Sequence, residues 1–248
     1  HSSHRRQRQM CIRDRYSTLK QLCDYQQGFS STDGGKGLAR CMLLLDHGGT
    51  CKLTAINAIR VQLPEEWEMV MAPTGKAATV IGGSTIFNHK HGLCLPMQDE
   101  SFKKLPENDR LLELQQKWKD VKIIFIDEFS IISLKHLHWT DHRLRQIKGI
   151  DTPFGGLITV LLGDTGQLPP VGGKCLWNNK ETNNEFELQG RMLYQRYFQS
   201  VVILTENKRI ANDEDAKEYE DHPIFNLQAP LVQYRHLRHI MRHHFFLL

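Results

Sequence analysis

Five short apolar runs recur along the chain: Met42 to Leu45, Met69 to Met71, Ile123 to Ile126, Leu157 to Leu162 and Val201 to Leu204. Each stops at small, acidic or polar residues, the form of a strand buried on both faces of a parallel sheet. Helical patterning lies between them: from about Lys52, through LLELQQKW near Leu112, over Leu134 to Ile147, and from Gly190 onward. Strands that alternate with helices in this way predict an α/β domain. Ahead of the first run, Thr18 to Phe29 has helical character and Ser30 to Lys36 reads as a flexible turn.

Chemistry in an open α/β sheet gathers at the carboxyl ends of its strands. The third run ends on Asp127 and Glu128, adjacent carboxylates suited to nucleotide hydrolysis. Asp127 would place Mg²⁺, usually through water, and Glu128 would polarise an attacking water. An acidic turn after a strand is common, so this pair alone does not make a site. The fourth run strengthens it by ending in Gly163 and Asp164, with Gln167 placed to sense a terminal phosphate before Pro169 and Pro170 close the element.

The first run leads into a glycine turn and a helix, the arrangement of a phosphate-binding loop of form GxxxxGK[ST]. Gly48, Gly49, Thr50 and Lys52 fit, and Thr54 lies next to the expected Mg²⁺ hydroxyl. Three positions depart: Asp46 and Cys51 replace the two glycines, and Leu53 stands where the metal-binding hydroxyl belongs.

Taken together, IDEFSII followed by PFGGLITVLLGDTGQLPPV resembles the Walker B motif and motif III of the Pif-type (petite integration frequency) superfamily 1 DNA helicases, whose relatives include Helitron-encoded proteins. APTGKAATVIGGSTI resembles motif Ia of the same family. The resemblance implies a RecA-like P-loop NTPase domain, with a mostly parallel sheet and helices on both faces. It further implies ATP and Mg²⁺ as cofactors and 5′-to-3′ movement on single-stranded DNA. Its settings would be DNA repair, recombination or telomere maintenance, in the nucleus or alternatively the mitochondrion, with the protein acting as a monomer.

Residue by residue, the resemblance assigns Gln26 to adenine and Arg209 to the γ-phosphate. It assigns Thr74, Gly75 and Lys76 to the DNA backbone, where a small turn and a Lys suit phosphate. Where the family has Thr-Ile-His-Ser, this chain has Thr85-Ile86-Phe87-Asn88. Phe87 could stack on a base or pack in the interior.

Composition adds limits. No apolar run approaches the roughly 20 residues of a membrane span. The net charge of +4 is uneven: residues 1–20 carry +5 and residues 231–248 carry +3, which leaves 21–230 at −4. Charge alone therefore gives no nucleic-acid footprint. The six cysteines form no CxxC pair, against a zinc site or disulfide framework. His136, His138 and His142 lack a completing ligand and predict a surface helix, and residues 97–119 predict a solvated connector.

Residues 1–17 are expected to be a non-native or disordered leader, because RRQRQMCIRD resembles a translated sequencing adapter. Residues 18–215 form the predicted first motor domain and 216–248 a tail without helicase features. Only about 39 residues follow Arg209, too few for a second motor domain. Two functions follow as expectations: a DNA-stimulated ATPase and helicase, here a truncated fragment, or an inactive remnant that at most binds single strands.

Overall fold

The computed structural model of the chain describes residues 41–46, 52–61, 63–97, 102–106 and 108–204, with the side chains of residues 54, 55 and 58 not described. Its strands are β1 (Cys41–Asp46), β2 (Glu68–Ala72), β3 (Ser84–Thr85), β4 (Ile123–Ile126), β5 (Ile158–Gly163) and β6 (Ser200–Leu204). Its helices are α1 (Lys52–Arg60), α2 (Gly75–Val80), α3 (Asp109–Lys117), α4 (Leu134–Lys148) and α5 (Glu185–Tyr197). The strands form one sheet in the order β3-β2-β4-β5-β1-β6, and every pairing between them is parallel.

Side chains alternate across a strand, and here each face meets its own core. Cys41 and Leu43 of β1, with Ile124 and Ile126 of β4, pack among Leu137, Trp139, Leu144 and Leu193 of α4 and α5. Met42 and Leu44, with Ile123 and Phe125, pack instead among Ile56, Ile59, Ala77 and Ile81 around α1 and α2. Helices thus cover both faces, which is why the central strands are apolar on both faces rather than at alternate positions.

Helix α4 departs from the predicted surface helix. Ser133 caps it by accepting from the His136 N–H, and Gly149 ends it in the left-handed conformation. Between these caps His138, Thr140, Asp141 and Arg143 are buried. The helix lies under α5 and the Pro153–Gly156 turn, and Asp141 and Arg143 find their partners within the fold. Asp141 accepts from the Phe154 N–H and pairs with Arg145 at 2.9 Å. Arg143 donates to the Leu93 and Lys103 carbonyls at 2.9 Å each and to Gln146. His138 meets His142 at a tilt, with ring centroids 4.3 Å apart, and burial, then the charges of His142 and Arg145, lowers its pKa to about 4. Among the described residues no histidine group is arranged to hold a metal.

The same contacts correct the solvated-connector expectation for residues 97–119. Gln146 both donates to and accepts from the Leu105 backbone. Leu111, Leu114 and Trp118 are buried beneath α3. Helix α5 begins at Glu185, five residues before the predicted Gly190, because Asn184 caps it through the Glu187 N–H.

Gly190 marks the closest approach of α5 to α4. A Cβ there would collide with the Leu134 carbonyl, a backbone atom that cannot swing aside. Gly190→Ala is expected to lower unfolding stability by about 3 kcal/mol, read from urea melts. Wild-type stability in that variant would mean the two helices are free to part.

Candidate active site

Parallel strands bring their carboxyl ends to one edge of the sheet. Cys41 of β1 and Ile124 of β4 both face Thr159 of β5, so the ends of these three strands sit side by side. Asp46 ends β1, Asp127 follows β4, and Gly163 ends β5. Lys52, at the start of α1, reaches into this edge.

The Lys52 Nζ lies 2.7 Å from Asp127 Oδ1, 3.6 Å from Asp46 Oδ1 and 3.8 Å from Glu128 Oε1. Burial alone would lower the Lys52 pKa, but attraction and hydrogen bonding from Asp127, then Asp46 and Glu128, outweigh it and raise it. The ammonium therefore stays charged at any physiological pH. Burial, opposed by Lys52 and reinforced by Asp127 and Asp164, raises the Asp46 carboxyl above its ordinary value. Burial, opposed by Lys52 and reinforced by Asp127, Asp46 and Asp164, does the same for Glu128. Three carboxylates around one ammonium leave the site with an excess of negative charge.

Glu128 adopts a left-handed backbone, φ 52° and ψ 43°, which non-glycine residues seldom do. Its N–H donates to Asp127 Oδ1 at 2.9 Å, so the backbone twist orients one carboxylate while turning the other away from the strand. Gly163 makes room for this turn: a Cβ there would press on Phe129 at 3.1 Å. Strained backbone of this kind tends to sit where function requires it.

Asp164 accepts from the Gly166 N–H and shapes the turn that carries Gln167 to an exposed position. Thr74 caps α2 by accepting from the Ala77 N–H, while Gly75 has open space around it and Lys76 is exposed. Thr85 is half-buried, in β3 beside the end of β2. Phe87 is also half-buried and meets His136 edge-on at 5.3 Å, so it packs against the core. Gln26, Gly48, Gly49, Thr50 and Arg209 lie outside the described residues, as does the side chain of Thr54.

Asp46 is the group whose weight in the site the sequence did not announce. The only signal was a carboxylate where a phosphate loop has glycine.

Its raised pKa has a consequence for stability. The folded chain holds the Asp46 proton more tightly than the unfolded chain does. Stability is therefore lost as pH rises from the ordinary 3.8 through the raised value. Asp46→Asn is expected to melt at a higher temperature than wild type at neutral pH, with the difference vanishing below pH 3.8. A gain that persists unchanged in acid would contradict this origin.

An all-parallel sheet with a helix-start lysine facing two acidic strand ends defines a RecA-like domain. Comparison with known proteins narrows the class. The model of the PIF1-like helicase family matches residues 30–229, and the chain belongs to that family.

It is 34% identical over 164 residues to the ATP-dependent DNA helicase RRM3 of Saccharomyces cerevisiae, covering 63% of this chain and 21% of the relative. It is 28% identical over 162 residues to the ATP-dependent DNA helicase PIF1 of Xenopus laevis, covering 65% and 24%. The Candida albicans Pif1 helicase crystal structure matches 80% of this chain and 41% of that one, with a TM-score of 0.53 and 22% identity. The Bacteroides Pif1 helicase in complex with ADP-AlF3 and ssDNA matches 71% and 40%, with a TM-score of 0.51 and 23% identity. These two structures share the fold. The chain spans less than a quarter of the yeast and frog relatives.

Proposed function

We propose that the chain is a motor segment of an ATP-dependent DNA helicase that moves 5′ to 3′ on single-stranded DNA, acting in the nucleus or mitochondrion. The observation that carries this reading is Lys52 Nζ at the sheet edge, 2.7 Å from Asp127 with Glu128 beside it.

The residues present suit Mg-ATP. Lys52 and the start of α1 would hold phosphate, with charge and helix dipole acting together. Among the described residues no group of three His, Cys, Asp or Glu side chains could cage a metal. That suits Mg²⁺ held by Asp127 through water and by the nucleotide's own oxygens. The bound cation would neutralise charge on the transferring phosphoryl group. Glu128 would accept a proton from the attacking water, and burial, which raises its pKa, makes it a better base. Gln167 would sense the terminal phosphate and Arg209 would stabilise its charge. Gln26 would hold adenine, and Gly48, Gly49, Thr50 and Thr54 would complete the loop.

Thr74, Gly75 and Lys76 would meet the DNA backbone, with Thr85 and Phe87 beside them. The complex of the Bacteroides relative with ADP-AlF3 and ssDNA supports both ligands. One observation favours the second reading, an inactive remnant that only binds single strands. Lys52 is already engaged by carboxylates, one of them at a position where the family has glycine.

Calorimetric titration of Mg-ATP into the 248-residue chain, with and without single-stranded DNA, tests the choice. Micromolar binding supports the motor reading; a folded protein that binds DNA and no nucleotide leaves the remnant. For the DNA face, Lys76→Ala should weaken binding and flatten its salt dependence by about one phosphate contact. An unchanged salt slope would take Lys76 off the backbone.

A further inference from the structure

We infer that Asp46 sets the nucleotide affinity of this site by competing with phosphate for Lys52. The inference rests on Lys52 as the phosphate-holding residue and adds an internal anion that opposes that role.

Asp46 is held in place by its backbone. As the last residue of β1 it pairs with Leu204 of β6, while its neighbour Leu45 pairs with Gly163 of β5. Its side chain is only 7% exposed, and its Oδ1 has no hydrogen-bond partner among the described residues. Lys52 Nζ lies 3.6 Å from that same oxygen. A buried carboxylate oxygen without a hydrogen bond depends on its counter-ion.

Asp127 stands differently. Its Oδ1 also accepts the Glu128 N–H, so it keeps a partner when the ammonium leaves. Asp46 does not. Moving Lys52 onto a phosphate strips Asp46 of its cation and places a second anion near it. The glycine expected at this position would impose neither penalty. Asp46 therefore holds Lys52 in the nucleotide-free arrangement, and nucleotide must displace a carboxylate to bind.

The test compares Mg-ADP and Mg-ATP binding by the full chain as wild type, Asp46→Asn, Asp46→Ala, Lys52→Ala and the Asp46→Asn/Lys52→Ala double variant. Thermal melts establish that each is folded, and two substitutions at Asp46 guard against one packing badly. Both Asp46 variants should bind about tenfold more tightly or better, as expected when a carboxylate that competes for the Lys52 ammonium is removed. The gain should disappear in the double variant, because it acts through Lys52. Nucleotide binding by the Asp46 variants and none by wild type would be the strongest support.

Three results overturn the inference. If Lys52→Ala abolishes binding but the Asp46 variants bind no better than wild type, the phosphate-holding role stands and competition fails. If the Asp46 gain is equally large without Lys52, Asp46 repels nucleotide directly and does not compete for the lysine. If Lys52→Ala leaves wild-type affinity unchanged, or no variant binds nucleotide, the phosphate-holding role falls and the inference with it.

Discussion

Lys52→Ala is expected to lower affinity for Mg-ATP by at least about a hundredfold, and calorimetry on the full chain would measure it. Two effects add. The variant loses the group that faces phosphate, and it leaves Asp46, Asp127 and Glu128 without the ammonium that lies 2.7 to 3.8 Å from all three. A unit charge at about 4 Å is worth roughly 1 kcal/mol in water and about 4 at the effective dielectric of a protein surface. Reversing the local balance therefore costs more than losing one contact. Lys52→Arg separates the parts: it keeps the charge but changes the donor geometry, so it should retain part of the affinity. Equal affinity in wild type and Lys52→Ala would place nucleotide elsewhere on the molecule.

This site was legible in the sequence to an uneven degree. Asp127 and Glu128 could be found because a buried strand advertises its end: Ile123 to Ile126 is unbroken and the chain turns polar at once. Lys52 could be found because a glycine turn precedes it. Their meeting could not be read. It depends on β5 lying between β1 and β4, and the order β3-β2-β4-β5-β1-β6 is a property of tertiary packing, not of any local pattern. The charge of Asp46 was visible, but its depth and its distance from Lys52 follow only once β1 is flanked on both sides.

The same limit explains α4. His138, Asp141, Arg143 and Arg145 read as solvent-facing because charged residues are rarely buried. The partners that bury Arg143 are backbone groups of loops remote in sequence, the Leu93 and Lys103 carbonyls, which carry no side-chain signal. Strand β3 escaped for a simpler reason. Its two residues, Ser84 and Thr85, are too few to show any period.

Asp141→Ala is expected to cost the domain about 3 to 5 kcal/mol of unfolding stability, a large share of a typical total. Asp141 is 1% exposed and ties α4 to the Pro153–Gly156 turn. One oxygen accepts the Phe154 N–H at the turn before β5, and the other pairs with Arg145, which also holds Asp151 at 2.9 Å. Alanine would leave the Phe154 N–H buried without an acceptor and Arg145 with only its exposed partner. Phe154 sits at φ 54°, a left-handed backbone that a non-glycine residue keeps only when its surroundings hold it there. Loss of Asp141 releases that hold. Asp141→Asn should cost less, because its amide oxygen can still accept from Phe154 while the ion pair is lost. The gap between the two variants in urea melts measures the hydrogen bond against the charge. Since the turn leads directly into β5, Asp141→Ala should also loosen the start of that strand at Ile158 and Thr159, seen as faster amide exchange there. Exchange at β5 that matches wild type would mean the turn is held by packing of Phe154 alone, with Asp141 serving only the helix.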